Sequence, residues 1–327
     1  MKTTKTILSL LSFIIFINSY TQVNNDVTIY KSSALSLINQ NSKIEVLGDS
    51  FKVAEGPLWD SKNNRLLFTD VRQNKVFSWD ENNGISEYIV PSGSTGYAPS
   101  FKDGGIGANG ITFNKIGQIV LCQHGDRRVA IVSNVKDNNP QFTTIIDNYN
   151  GKRFNSPNDL SISKNGDIYF TDPPYGFKNF NNKFRELDFN GVYKYSIDGS
   201  IKLITKEMTR PNGIALSLDE KYIYVNNSDR NDPKIMRFNS KTFKGKLFFD
   251  GSELVKKYKG GFDGLKIHSS GNIFTTGPNG ILILSPRGNL LATINYGKAI
   301  TNCNFDKDEE YLYVTGFDDV SRIKLKK

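Results

Sequence analysis

Residue types that build cross-linked or zinc-bound sites are scarce in this chain of 327 residues. It holds two cysteines, Cys122 and Cys303, and two histidines, His124 and His268. A CxxC motif and a cysteine–histidine pattern at zinc-finger spacing are both absent, which argues against structural zinc. Both cysteines lie in apolar, strand-like phrases, where buried free thiols are common. We therefore favour two free thiols over a disulfide bridge.

Long hydrophobic runs are also scarce, and the main one lies at the N-terminus. Residues 7–17 are mostly apolar, they follow Lys2 and Lys5, and small residues stand at positions 19 and 21. This pattern predicts a secretory signal peptide over residues 1–21, cleaved before Gln22. The run is too short to be favoured as a retained membrane anchor. We expect a periplasmic or secreted protein with no membrane association after cleavage.

The charge balance points to no macromolecular partner. The formal net charge is +9, and loss of the two lysines in the signal peptide lowers it by two. The remaining lysines are scattered rather than clustered, which is typical of a soluble surface and does not predict nucleic-acid binding. Nothing in the sequence indicates an oligomeric state.

A short phrase recurs six times, and in it a polar residue opens an apolar strand. The copies read EGPLWD at 55–60, NGITFN at 109–114, NDLSIS at 158–163, NGIALS at 212–217, DGLKIH at 263–268 and TNCNFD at 301–306. Repetition at a period of roughly 40 to 55 residues is typical of solenoids and propellers. After each phrase come alternating strands separated by turn signals, as in the third copy, where Asn-Gly at 165–166 and Asp-Gly at 198–199 mark hairpins.

Six such units predict an all-β fold, a six-bladed β-propeller over residues 43–327, preceded by an N-terminal extension at 22–42. No long amphipathic helical pattern is evident outside the signal peptide. The sixth unit ends without a fourth strand, which would leave an exposed sheet edge. Residues 43–47 (KIEVL) read as a strand and can fill that place. We expect this N-terminal strand to complete the last blade.

The residues that open the six phrases would converge at one mouth of the central channel. Glu55, Asn158, Asn212 and Asp263 then offer four oxygen donors, which together with water suit a divalent ion, most of all Ca²⁺; Zn²⁺, Mn²⁺ and Mg²⁺ remain alternatives. Asn109 could reach the ion, a substrate or only its own loop. Ordinary Asn-Gly and Asp-Gly turns are the competing explanation for any single phrase, but six aligned phrases favour a metal site.

Several phrases resemble one known family. EGPLW at 55–59, QHGDRRV at 123–129, GKRFNSPND at 151–159, TDPPYG at 171–176 and RPNGI at 210–214 are similar to the gluconolactonase branch of the gluconolactonase/regucalcin superfamily. The resemblance covers the chain from about residue 50 to its end. It implies a six-bladed propeller with one catalytic divalent ion held at the positions of Glu55, Asn158, Asn212 and Asp263. Phe262 departs from the Pro-Asp-Gly that many members have before the aspartate.

The resemblance implies hydrolysis of a sugar lactone, a small-molecule substrate. The ion would polarise the lactone carbonyl, and Asp263 would act as general base, as nucleophile or as metal ligand only. His124 could relay protons or bind a hydroxyl, or be a surface histidine. Arg153 could hold substrate hydroxyls through its forked donors, as Asn109 could, or be a solvated loop arginine.

Two other functions share these features. A calcium-dependent esterase or phosphotriesterase can be built on the same architecture, and a propeller can bind a ligand without catalysis. The carboxylates of Glu55 and Asp263 argue against the non-catalytic alternative, because a purely structural channel has no need to gather acidic groups. The phrases around His124 and Arg153 favour the lactonase over the phosphotriesterase by resemblance only.

Overall fold

A computed structural model describes residues 26–99, 104–135, 139–177 and 184–326. The proposed signal peptide lies outside the described residues. Strands dominate the described chain, and its helices are two short ones, a 3-10 helix at Ser32–Ser36 and α1 at Ser252–Lys257. Among the residues that the structure describes, no helix is both long and apolar enough to cross a membrane.

The strands follow one another along the chain as antiparallel sheets. The N-terminal segment contributes β1 (Val27–Ile29) and β2 (Ile44–Asp49). The first blade contains β3 (Ala54–Asp60), β4 (Arg65–Asp70), β5 (Lys75–Asp80) and β6 (Gly84–Ile89). The second contains β7 (Ala108–Phe113), β8 (Ile119–Gln123), β9 (Arg128–Asn134) and β10 (Gln141–Ile146). A small hairpin, β11 (Asn148–Tyr149) with β12 (Lys152–Arg153), leads into the third blade.

The third blade contains β13 (Leu160–Ile162), β14 (Ile168–Asp172), β15 (Gly191–Tyr195) and β16 (Ile201–Thr205). The fourth contains β17 (Pro211–Leu216), β18 (Tyr222–Asn227), β19 (Lys234–Asn239) and β20 (Gly245–Asp250). The fifth contains β21 (Leu265–Ile267), β22 (Ile273–Gly277), β23 (Gly280–Leu284) and β24 (Leu290–Asn295). The sixth contains β25 (Ile300–Phe305), β26 (Tyr311–Gly316) and β27 (Asp319–Lys324). The six sheets make a six-bladed β-propeller, so the fold predicted from the repeats is confirmed.

The N-terminal segment closes the ring. β2 pairs antiparallel with β27, Ile44 opposite Ile323, and so becomes the outer strand of the sixth blade as the sequence predicts. β1 pairs with β24, Val27 opposite Ile294, and adds a fifth strand to the fifth blade. That second pairing was not predicted, because the three residues of β1 are too few to show an alternating pattern. Part of the predicted extension therefore belongs to the propeller.

Apolar side chains pack between neighbouring blades rather than around one centre. Leu67 of the first blade packs in one cluster with Leu121 of the second, and Phe274 of the fifth lies with Leu312 of the sixth. Each of the six junctions in the described chain has its own cluster. Cys122 and Cys303 are free, buried thiols in two different clusters, and burial raises the pKa of Cys303 to about 12. The axis of the propeller is thereby left to polar residues.

Candidate active site

The innermost strands bring the predicted ligands together because of how these strands begin. Glu55, Asn109 and Asn212 are each the second residue of their strand, and a register irregularity follows directly, for example between Glu55 and Leu58. A bulge at this place bends the strand and re-aims its side chains. Asn158 and Asp263 instead precede β13 and β21, outside the ladder. In both arrangements the residue that opens the phrase lies at or outside the edge of the regular strand ladder, so its side chain can turn toward the axis.

The glycines that follow Glu55 and Asn212 allow neighbouring blades to approach closely. A Cβ on Gly213 would lie 2.2 Å from the carbonyl oxygen of Asp263, and one on Gly56, whose φ is +49°, would lie 2.3 Å from the carbonyl oxygen of Asn109. Either contact is far inside van der Waals distance, so a side chain would push the blades apart. The Glu-Gly, Asn-Gly and Asp-Gly pairs are therefore a requirement of the ring and not ordinary turns.

Hydrogen bonds between blades hold the backbone of the predicted metal-binding residues in place. Gly110 N donates to Asn158 O at 2.7 Å, and Gly213 N donates to Asp263 O at 2.9 Å. Thr171 Oγ1 donates to Asn212 O at 2.7 Å from the neighbouring blade. Each bond runs from one blade to the next around the axis, so the ligand positions are fixed relative to each other before anything binds.

These residues line a cavity of about 460 Å³. Six of the seven residues predicted for the site are in its wall: Glu55, Asn109, His124, Asn158, Asn212 and Asp263. Thr301, the residue that opens the sixth phrase, lines it too, but its Oγ1 donates to Ala54 O at 2.6 Å. That hydroxyl proton is used for ring closure between the sixth and first blades.

Two carboxyl groups face this cavity, that of the buried Glu55 and that of the half-buried Asp263. Burial raises the pKa of Glu55 to about 7, with a further contribution from the charge of Asp159. Burial, and then the charge of Glu55, raise the pKa of Asp263 well above its usual range. The two carboxyl groups are therefore close enough for the charge of Glu55 to act on Asp263. Two acids in such an arrangement need a shared proton or a cation to neutralise them.

The Glu55 carboxylate is held from behind. Glu55 Oε2 accepts from Gly56 N at 2.9 Å and from Asn302 Nδ2 at 3.1 Å. Deeper in the channel, Asp159 Oδ2 lies 3.9 Å from Lys266 Nζ. The Asn302 amide, whose Nδ2 is also 3.5 Å from Asp159 Oδ2, orients Glu55 without lining the cavity.

Unpartnered oxygen atoms point to what the cavity can hold. Asn109 Oδ1, Asn158 Oδ1 and Asp263 Oδ1 are buried and have no hydrogen-bond partner. Buried polar atoms are normally satisfied, so an orphan set around one cavity indicates an absent ligand. Oxygen donors of carboxylates and carboxamides are those that Ca²⁺ and Mg²⁺ prefer. No cluster of three or more His, Cys, Asp or Glu occurs within the described ranges, so any ion here must rely on the carboxamides.

His124 faces the same cavity in a defined tautomer. Its Nδ1 lies 3.1 Å from Gly105 O, and since a carbonyl only accepts, Nδ1 carries the proton. Nε2 is then a bare acceptor, buried and without a partner. Burial lowers the pKa of His124 to about 4, so the ring is neutral at neutral pH. An acceptor of this kind can bind a substrate hydroxyl or take a proton from it.

Arg153 is the one predicted site residue that the structure does not bring to the cavity. It lies on β12, where its guanidinium is 5.5 Å from the Tyr97 ring centroid and its Nη1 is 3.9 Å from Asp147 Oδ2. The β11–β12 hairpin aims the side chain outward, although residue 153 is close to Asn158 in sequence. Its expected role in substrate binding is not supported by this placement.

Other cavity residues were missed or only partly anticipated. Arg72, Ser228 and Arg230 line the cavity from loops that follow second strands. Tyr175 also lines the cavity and hydrogen-bonds to Ser228. The available signal was positional: the end of each second strand lies beside the start of the innermost one, so residues just after it reach the same mouth.

Comparison with known proteins agrees with this architecture. Residues 53–317 match the family described as SMP-30/Gluconolactonase/LRE-like region. The chain is 36% identical to a gluconolactonase of Zymomonas mobilis over 306 residues, which cover 89% of this chain and 83% of that one.

Solved structures show the same fold. A gluconolactonase from Xanthomonas campestris superposes with a TM-score of 0.78 at 24% identity, covering 91% of this chain and 94% of its own. A calcium-binding regucalcin from Agrobacterium tumefaciens superposes with a TM-score of 0.65 at 15% identity, covering 86% and 95%. From the family match and the identity over most of its length, the chain belongs to the SMP-30/gluconolactonase/LRE-like family.

Proposed function

We propose that this protein is a metal-dependent hydrolase that opens sugar lactones. The observation that carries the proposal is the set of orphan oxygens of Asn109, Asn158 and Asp263 beside the Glu55 carboxyl in one cavity. The similarity to a gluconolactonase over most of the chain supports the reaction type. A cavity of about 460 Å³ is large enough for a six-membered lactone.

Glu55, Asn158, Asn212 and Asp263 would hold the ion, and Asn109 stands close enough in the ring to assist. The oxygen-only donor set favours Ca²⁺ or Mg²⁺ over Zn²⁺. When bound, a divalent ion supplies a Lewis acid for a carbonyl oxygen and neutralises the acidic pair.

The protein's own groups would position and activate the reactants. Asp263 presents Oδ1, which has no hydrogen-bond partner, toward the cavity, where a carboxylate can accept a proton from an attacking water. His124 Nε2 would accept a hydrogen bond from a substrate hydroxyl, since Nδ1 is committed to Gly105. The Tyr175–Ser228 pair forms part of the same wall and would limit how the lactone ring is oriented.

A substrate panel on chelated and metal-restored protein tests this function. We expect hydrolysis of glucono-δ-lactone and related aldonolactones that chelation abolishes and Ca²⁺ restores. Asp263→Asn should chiefly lower kcat, whereas Asp318→Asn, at an exposed aspartate, is the matched control and should change nothing. Hydrolysis of organophosphates or aryl esters with aldonolactones at background would instead indicate the esterase or phosphotriesterase. No hydrolysis at all would indicate a binding propeller.

We also propose that the protein is exported, which rests on the signal-like pattern at residues 1–21 alone. N-terminal sequencing of the protein recovered from its native cells should start at Gln22. An intact Met1 on the native protein would exclude cleavage.

A further inference from the structure

The cavity wall is divided by blade into a polar half and an apolar half. The second, third and fourth blades contribute hydrogen-bonding side chains, among them Asn109, His124, Asn158, Tyr175, Asn212 and Ser228. The fifth, sixth and first blades contribute mainly apolar ones: Val53, Val71, Phe262, Ala299, Ile300 and Phe317. These three blades are consecutive around the ring, because the sixth blade contacts the first through the bond from Thr301 to Ala54. The apolar residues therefore form one continuous arc.

Little on the apolar arc can bind a hydroxyl. Apart from the axial carboxyls of Glu55 and Asp263, its polar side chains among the described residues are those of Thr301 and Arg72. The Thr301 hydroxyl is only 1% exposed, and it donates to Ala54. Arg72 is exposed, so water can solvate its guanidinium. A sugar hydroxyl turned toward this arc would lose water without gaining a partner, which is unfavourable.

Phe317 presents apolar surface at this arc. Its side chain follows β26 and lines the cavity, yet the residue is 49% exposed. Ile300 and Val71 in the same arc are 3% and 4% exposed, so they form the inner wall, and Phe317 leaves apolar area for a ligand to cover. Burial of such area on both sides of a contact stabilises the complex.

From this division we infer that the substrate is an amphipathic lactone, with hydroxyls on one side of the ring and an alkyl or other apolar substituent on the other. The inference rests on the proposed lactonase function and extends it to the substrate class. The polar half would receive the hydroxyls, and the apolar arc would cover the substituent. Phe317 is the specificity-determining residue for the substituent.

A pair of lactones that differ only in an alkyl chain tests the inference. With metal-loaded protein, kcat/KM for δ-decalactone, which carries a pentyl chain, should exceed that for δ-valerolactone by at least about tenfold, less than full burial of five carbons would give. Phe317→Ser should remove most of this preference and leave kcat/KM for glucono-δ-lactone within about twofold, because an exposed side chain contributes little to the fold. Ile116→Ser is the matched control: Ile116 is 80% exposed in the β7–β8 turn, away from the cavity lining.

Binding of the non-hydrolysable lactams of the same two rings separates this inference from the proposed function. Tighter binding of the pentyl lactam, lost in Phe317→Ser and kept in Ile116→Ser, would support the apolar arc even if no lactone were hydrolysed. Turnover of glucono-δ-lactone with no preference for δ-decalactone, or an equal loss for both lactones in Phe317→Ser, would overturn the inference while leaving the lactonase intact. Equal binding of the two lactams would overturn it as well.

Discussion

Glu55 and Asp263 face the same cavity, and burial together with the charge of Glu55 raises the pKa of Asp263 well above its usual range. The two residues are separated by more than 200 positions; Glu55 is buried, at 3% exposure, and Asp263 is half-buried with its Oδ1 atom buried. The packing of the blades does not require two acidic groups to lie close together, because the apolar clusters lie between blades and not on the axis. The pair is best explained by a positively charged occupant of the site.

Removing one charge of the pair should remove the ion. We expect Glu55→Gln to bind less than about a tenth of the metal that the unmodified protein binds, because a charged donor contributes more than an amide. Its far-ultraviolet circular dichroism should be unchanged, since the amide fits the same space. Metal analysis after dialysis measures the first expectation. Glu87→Gln, at a surface glutamate, is the control, and full metal content in Glu55→Gln would refute the central site.

The metal-free protein should lose stability as the pH rises. Glu55 has a folded-state pKa of about 7, above its ordinary 4.5, so its neutral form is favoured by folding. Its stabilising contribution is then complete below pH 4.5 and is lost as the pH passes about 7, at a cost of roughly 3 kcal/mol. Thermal unfolding of chelated protein across this range should show the decline. Saturating Ca²⁺ should flatten it, and Glu55→Gln without metal should show a smaller decline, because burial still raises the pKa of Asp263 in that variant; a flat profile of the chelated unmodified protein would contradict the assignment.

His124 should contribute as a neutral acceptor. His124→Phe removes Nε2 and should lower kcat/KM for glucono-δ-lactone by about tenfold, the effect of one hydrogen bond to a buried group. The pH profile of the unmodified enzyme should show no histidine titration near pH 6.5, because burial lowers the pKa of His124 to about 4. His268→Phe is the control, since His268 bonds to Ser270 and Glu309 away from the cavity lining. Equal losses in both variants would indicate a structural effect only.

Arg153→Ala should leave KM for glucono-δ-lactone within about twofold, because the half-buried side chain packs on Tyr97 and does not line the cavity. Sequence reasoning alone predicts a raised KM, and the placement of the side chain beside Tyr97 and Asp147 reverses that expectation. Steady-state kinetics on an aldonolactone decides between the two. A KM raised tenfold or more would return Arg153 to the site.

The closing strand β2 should tolerate a charge at one position and not at another two residues away. Ile44 packs against the cluster between the fifth and sixth blades, whereas Val46 on the same strand is 58% exposed. Ile44→Asp should therefore destabilise the fold by about 2 kcal/mol or more and promote aggregation, because it buries an unpaired charge. Val46→Asp should be neutral. Thermal unfolding and size-exclusion chromatography measure both, and equal behaviour would argue against closure by β2.

The repeats made the ring and most of its polar centre predictable. Five of the six phrases carry a carboxylate or a carboxamide at the same place, so aligning the phrases already brings Glu55, Asn109 and Asp263 together. The side-chain direction of Arg153 could not be predicted, because it depends on a hairpin whose two strands have only two residues each and show no strong sequence pattern. The division of the cavity wall into a polar half and an apolar arc could not be predicted either, because Val71 and Phe317 lie in loops whose side-chain directions are set only when neighbouring blades pack.

The pairing of the N-terminal segment has a kinetic consequence. Val27 meets Ile294, and Ile44 meets Ile323, so both pairings wait until nearly the whole chain is available. Contacts of such long sequence separation form late, since the entropy of closing a large loop must be overcome first. During that interval the outer edges of the last two blades have no strand to cover them. The molecule is thus most prone to edge-to-edge aggregation at the end of its folding, when the six blades are formed and the ring of blades is not yet closed.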